Sequence, residues 1–161
     1  MTSHTYRAGE AAALALIQAL SAWDTSNSVS LANDENNIGM SMVNSGASSQ
    51  YCFLSPGPFE SGYENIGESL VIDRWQTVIT LAVFVVQDLS DPSSPEMRLA
   101  TLRQNIIDAL DKRFALSGSA SFAKVISGTE ISNFTTAELG PFILQEMTLL
   151  WEAERDLTQA D

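Results

Sequence analysis

The sequence predicts an α+β fold: a mainly antiparallel sheet with two principal helices packed on it, joined by long polar loops. Three observations carry this expectation. Segments at about 7–23 and 95–114 repeat apolar residues at helical spacing. Segments at 70–87 and 142–153 are rich in β-branched and aromatic residues and alternate along the chain. Between them run stretches of Asn, Ser, Asp, Gly and Pro with weak periodicity. With 161 residues, 45% hydrophobic and 17% charged, the chain fits a single domain over 1–161 and is too apolar for global disorder.

The first helix is RAGEAAALALIQALSAW, residues 7–23, built from the best helix formers. Ala13, Leu16, Ile17 and Leu20 make its apolar stripe, and Thr5 is placed to cap it. Asp24, Thr25, Ser26 and Asn27 break the pattern. Residues 24–69 then read as a long loop region with two polar excursions, about 24–50 and 55–69. Within it Val29 and Leu31 suggest a short strand, and Ile38, Met40, Met42 and Val43 an apolar patch or helical turn. Tyr51–Leu54 is a short apolar run that Pro56, Gly57 and Pro58 are expected to stop.

The strongest strand signal is 70–87. Trp75, Thr77, Ile79, Leu81, Val83 and Val85 share one face, and Val78, Ala82, Phe84 and Val86 the other. Apolar residues on both faces place its second half centrally in the sheet. Ser93 with Glu96 matches a capping box and Pro95 suits a first turn. The helix that follows runs to about Phe114 through Leu99, Leu102, Ile106 and Leu110, with Arg98, Arg103, Asp108 and Asp111 facing outward. Phe122–Ser127 reads as a strand with Gly128 at a turn or bulge, and Ile131 and Phe134 suggest another short strand. The final strand puts Met147, Leu149, Trp151 and Ala153 on one side and Glu146, Thr148, Glu152 and Glu154 on a wet side. Core sheet and helix therefore span about 70–156, followed by a frayed tail.

Composition excludes several kinds of function. Eight Lys and Arg against twenty Asp and Glu give a formal charge of −12, and Lys112–Arg113 is the one adjacent basic pair. Nucleic-acid binding needs clustered cations. One cysteine and one histidine make neither an internal disulfide nor a Cys/His zinc site. No secretory leader is visible, and the apolar run Val78–Val86 is about half the ~20 residues of a membrane helix.

The search for reactive constellations is equally negative. No Gly-rich phosphate loop is followed by Lys and Ser or Thr. His4 lies near the terminus, and Cys52 sits in an apolar run without an activating base. Asp88 and Asp91 flank a strand end, and Asp108 and Asp111 read as a solvated helix face. Residues 33–37 are calcium-like in composition but lack the spaced acids of a calcium loop. Trp23, Trp75 and Trp151 read as core or interface anchors rather than a ligand cage. The expectation is a chain that is not an enzyme, with no catalytic residue, no cofactor and no metal.

Five segments recur in a characteristic order: the Ala- and Leu-rich helix Ala11–Leu20, YCFLSPGPFESG from Tyr51, DRWQTVITLAVFV from Asp73, LATLRQNIIDALDK from Leu99 and GPFILQEMTLLWEAE from Gly140. In that order and spacing they resemble the tail terminator, or tail completion, proteins of long-tailed bacteriophages. The long insertion around Asn33–Gly46 departs from the simplest pattern. The resemblance implies a structural virion protein of the tail–neck region, assembled in the host bacterial cytoplasm. Such proteins form a homo-oligomeric ring, commonly a hexamer, on the head-proximal end of the tail tube. The ring stops tube growth and joins the tube to the neck. Implied partners are further copies of the chain, the tail tube protein and a head–tail connector or neck protein, with DNA passing through unbound and no membrane involved.

Exposed apolar residues in the polar excursions are the candidate subunit or partner contacts: Ile38, Met40, Met42, Pro56, Pro58, Phe59, Tyr63 and Ile66. Glu146, Glu152 and Glu154 are candidates for an acidic bore or surface that DNA would slide past. Two alternatives stand beside the terminator reading: another neck or connector component (head-closure or tail-adaptor), and a small acidic ligand-binding domain.

Overall fold

Fifteen residues from Leu70 to Phe84 form the central strand of the sheet, where Val, Ile, Thr and Trp predicted one. The structure is a computed structural model and describes residues 5–23, 28–31, 50–65, 67, 69–84, 94–113, 122–136 and 140–158. In chain order the elements are α1 (Thr5–Gln18), β1 (Val29–Leu31), β2 (Gln50–Asn65), β3 (Leu70–Phe84), α2 (Pro95–Lys112), β4 (Phe122–Gly128), β5 (Ser132–Thr136) and β6 (Gly140–Asp156). The strands make one sheet in the order β1-β2-β3-β6-β4, with β5 also on β6. Every pairing is antiparallel except β1 with β2. The fold is thus α+β, with a large, mostly antiparallel sheet and, among the described residues, two helices.

Both helices cover one face. On it Ile79, Leu81 and Val83 of β3, Met147, Leu149 and Trp151 of β6, and Cys52 and Leu54 of β2 pack with Ala13 and Ile17 of α1 and Leu99, Leu102, Ile106 and Leu110 of α2. Each of these large apolar side chains contributes about 1.5–3 kcal/mol by leaving water, so this layer dominates cohesion. The opposite face carries a second, aromatic cluster of Tyr51, Phe53, Ala82 and Phe142, with Phe84 and Leu144 against it.

Helix α1 ends at Gln18, five residues short of the expected end, and Thr5 lies within it as its first residue rather than capping it. The reason for the early stop is local. Ile17's carbonyl accepts the Leu20 N–H at 3.1 Å and the Trp23 indole N–H at 2.8 Å, so the chain turns over its own end. The buried stripe of α1 runs through Gly9, Ala13 and Ile17, with Leu16 and Leu20 only partly buried.

The stretch 50–65, expected to leave the strand at Pro56 and become a loop, is instead one sixteen-residue strand. The physical reason is its place at the sheet edge. Strand β1 pairs only with Cys52–Leu54, and the Cys52 N–H points to that side, donating to Ser28. Pro56 shares the parity of Cys52 and Leu54, so the N–H it lacks would have pointed to the open edge, where proline is tolerated. Two register shifts, between Pro56 and Phe59 and between Glu60 and Glu64, let the strand continue along β3.

Helix α2 is capped by Ser94, whose hydroxyl accepts the Met97 N–H at 3.1 Å, with Pro95 in the first turn. The expected Ser93 cap is therefore shifted by one residue. The helix ends at Lys112, two residues before the expected end. Arg98 and Arg103 do not face outward as expected: the Arg98 guanidinium donates to the Phe84 carbonyl, and Arg103 donates to Gln145 Oε1 at 2.8 Å. Both tie the helix to the sheet. Asp108 and Asp111 are exposed, as the apolar spacing predicted.

The short strands at Phe122 and Phe134 and the long closing strand form where the pattern predicted them. Met147, Leu149, Trp151 and Ala153 are buried on the helix face and Glu146, Thr148, Glu152 and Glu154 are not. Strands β4 and β5 follow one another along the same outer side of β6, against Met147–Glu152 and Gly140–Leu144. Val85, Val86, Ser93 and Phe114 lie outside the described residues.

Candidate functional site

Among the described residues, exposed large apolar side chains gather at the two ends of the sheet. Six of the exposed large apolar residues sit there: Leu31 and Phe59 on β1 and β2, and Phe122, Ile126, Ile131 and Phe134 on or beside β4 and β5. No described strand pairs with the outer side of β1, of β4 and β5, or of β2 beyond Leu54.

Phe59 reaches its position through the first register shift. Along β2, Cys52, Leu54 and Pro56 share the helix face and Tyr51, Phe53 and Ser55 the other. An unshifted strand would send Phe59 to the second face. The extra residue at Gly57–Pro58 reverses the alternation, and Phe59 lands opposite Trp75. The result is a row of three stacked rings across three strands. Phe59 and Trp75 have centroids 5.2 Å apart, Trp75 and Trp151 6.0 Å. Trp151 is fully buried and donates its indole N–H to Thr77 Oγ1 at 3.3 Å, whereas Phe59 is 62% exposed. The row runs from core to surface.

The second register shift is held by charge. Asp73 is buried on the helix face of β3. Its carboxylate accepts from Arg155 Nε at 2.8 Å and Nη2 at 3.2 Å, and from the Gly62 N–H at 2.7 Å. Arg155 also donates to Ser61 Oγ at 3.2 Å. Burial raises the Asp73 pKa, but the hydrogen bonds from Arg155 and Gly62 and the guanidinium charge outweigh it and hold the carboxyl below its ordinary value. Gly62 has φ of 63°, a left-handed conformation that glycine adopts without strain.

Phe134 stacks on Phe142 at 5.5 Å, and Phe142 lies tilted against Phe84 at 5.5 Å. Phe84 meets Tyr51 edge-on at 5.8 Å. A second aromatic row therefore crosses the other face and ends in half-exposed Phe134 on β5.

Of the expected contact residues, Pro56, Pro58 and Phe59 are exposed along the β2 edge. Tyr63 belongs to the same strand. Ile38, Met40, Met42 and Ile66 lie outside the described residues. Glu146, Glu152 and Glu154 do share the face away from the helices, but they are not equivalent. Glu152 pairs with Arg74 directly opposite at 3.2 Å, and Glu154 is exposed opposite Ile72. The apolar edge residues Phe122 and Ile126 and the Asp73–Arg155 pair were missed by sequence reasoning. Ile126 is legible only once the β4 register shift between Val125 and Ser127 is known.

Cys52 is buried, and burial pushes its thiol pKa up, away from the reactive thiolate. Among the described residues no group of three or more His, Cys, Asp and Glu is gathered as a metal would require. Among them, too, no helix is long and apolar enough to cross a membrane. What the described residues offer a partner is two unlike edges with aromatic and aliphatic side chains, and acids on the face between them. No protein-family model matches the chain, and no curated protein matches it in sequence.

Proposed function

We propose that the chain is a ring-forming structural protein of a long-tailed bacteriophage, capping the head-proximal end of the tail tube, stopping its growth and joining it to the neck. The observation that carries this reading is the pair of unlike apolar edges at opposite ends of one sheet. A surface that meets a copy of itself about a twofold axis uses one patch twice. Two different patches at opposite ends suit head-to-tail contact, which closes into a ring when the rotation between neighbours divides the circle. The ordered segments that resemble tail terminator proteins supply the biological context.

Charge fits the same role. Four of the chain's arginines, Arg74, Arg98, Arg103 and Arg155, are engaged within the fold. Acids on the face away from the helices, Glu146 and Glu154 above all, then meet few cations to offset them. Facing a bore, they would repel DNA phosphates and let the duplex slide.

The test is electron microscopy of particles made without this gene. Filled heads beside tails of irregular or excessive length are expected. Tails of normal length that fail to attach would assign the protein to a head-closure or adaptor position instead. Intact infectious virions would overturn the assembly role.

A further inference from the structure

Cross-strand rows run the full width of the sheet and put two of its open edges at the same height. On the helix face Val125 lies opposite Leu149, Leu149 opposite Thr77 and Thr77 opposite Pro56. On the other face Phe122 lies opposite Glu152, Glu152 opposite Arg74 and Arg74 opposite Glu60. Strand β4 and the part of β2 beyond Leu54 are therefore level with one another. Strand β5 has no such counterpart, because its row runs from Ser132 through Leu144 and Ala82 to Tyr51, which is buried. The β1 edge is closed in its own way: Val29 is buried and its carbonyl accepts from Gln18 Nε2 at 3.2 Å.

The side chains at the two level edges are complementary. Lys124 is exposed and, by strand alternation, shares its face with Phe122 and Ile126. Glu60 is exposed on that same face, and alternation puts exposed Pro58 beside it. On the helix face half-buried Val125 stands at one edge and exposed Pro56 and Phe59 at the other. Of the cations on the described strands, Arg74 pairs with Glu152 and Arg155 with Asp73. Lys124 meets no carboxylate among the described residues, and Glu60 no cation within ion-pair distance.

We propose that the β4 edge of one copy docks against the open β2 edge of the next, with Lys124 of the first paired to Glu60 of the second. This rests on the ring reading above and names the contact that would build it. Ile126 and Phe122 then meet Pro58 on one face, and Val125 meets Pro56 and Phe59 on the other. Each stands within about one cross-strand row of its counterpart, inside the reach of diagonal neighbours. A rotation about an axis along the strands preserves both height and face, so it can carry one edge to the other. The contact is one of side chains, not of a backbone ladder. Pro56 and Pro58 lack N–H groups, both strands carry register shifts, and sheet twist sets the two edges at an angle. Charge makes the pairing selective. Copies of formal charge −12 repel one another in most orientations, and Lys124 against Glu60 turns repulsion into attraction at one place.

The test exchanges the two charges in the full chain and follows assembly by sedimentation, alone and with isolated tail tubes. Lys124→Glu and Glu60→Lys should each weaken self-association at least about tenfold. Both side chains are exposed, so the melting midpoint should stay unchanged. The double variant should recover association to within about threefold of the parent. An equal mixture of the two single variants should assemble as well, because the Glu at 124 of one then meets the Lys at 60 of the other, and the reverse contact is the native pair. Lys124→Gln, which removes the charge without reversing it, should weaken association in the same direction and by less. Single variants that associate like the parent, or a double variant and a mixture no better than the singles, would overturn this contact and leave the ring standing. A chain that stays monomeric both alone and with tail tubes would overturn the contact and the ring together.

Discussion

Gly9 of α1 lies against the indole of Trp151 so closely that a Cβ on it would stand 2.5 Å from the ring. Three ring carbons fall within 2.7 Å of that point, and Trp151 is fully buried, so the ring cannot step aside. Two effects oppose each other in Gly9→Ala. Helix propensity gains about 1 kcal/mol, and overpacking a filled core loses about 1–3 kcal/mol. Overpacking should win, with a net loss of up to about 2 kcal/mol in urea unfolding. Combining it with Trp151→Phe should cost less than the sum of the two changes. A Gly9→Ala variant as stable as the parent would show that α1 does not rest on this ring.

The Asp73–Arg155 pair makes stability depend on acid. The Asp73 carboxyl titrates below its unfolded value of 3.8, so its contribution is fully present above that value. It is lost as pH falls below 3.8 through the lower folded value. Asp73→Asn should therefore flatten the stability profile in this acid range and leave its shape at neutral pH unchanged. Arg155→Ala should cost about 2 kcal/mol at pH 7, under the ~3–5 kcal/mol of fully buried pairs because Arg155 is partly exposed. Parallel profiles for parent and Asp73→Asn between pH 2 and about 5 would rule the linkage out.

Phe59 separates stability from assembly. It stacks on Trp75 yet is mostly exposed, so Phe59→Ala should cost under about 1 kcal/mol. The same change should weaken self-association measured by sedimentation. A large stability loss with unchanged association would make Phe59 a core residue and remove it from the interface.

Cys52 should react with a thiol reagent only when the molecule opens. Its labelling rate at pH 8 should fall in step with added stabilising osmolyte and rise with urea. Prompt labelling of the native chain would contradict its burial between the sheet and the helices.

Ser94 offers a local test of the helix start. Ser94→Ala removes the acceptor for the Met97 N–H and should cost about 1 kcal/mol. An unchanged unfolding midpoint would move the start of α2.

The two helices and the strands with clean alternation were legible because each depends on neighbours three, four or two residues away. The run Ile79, Leu81, Val83 states its own burial, and so does Leu99, Leu102, Ile106, Leu110. Strand β2 was not legible. Proline and glycine signal a stop unless the strand lies on an edge, and which strand lies on an edge is a property of the whole sheet. The side on which Phe59 emerges follows from a register shift, which no alternation count reveals. Asp73 and Arg155 meet across 82 residues of sequence and carry no local signature. Arg98 and Arg103 look like solvent-facing charges from helical spacing alone; only the strands beneath them make them ties.

The pairing of β3 with β6 also sets the order in which the molecule can be made. Its partners run from Leu70 with Asp156 to Phe84 with Phe142, and the intervening chain includes the whole of α2. During synthesis the β2–β3 hairpin emerges before α2 and β6, so that Ile79, Leu81 and Val83 lack the cover of α2 and the second edge of β3 is unpaired. Completion waits for β6, the strand that also receives β4 and β5. Folding is thus governed by distant closure, which is slow for sheets of this kind. A nascent chain that has not yet extruded β6 presents a sticky hairpin to its surroundings, and holding chaperones should engage it at that stage rather than after release.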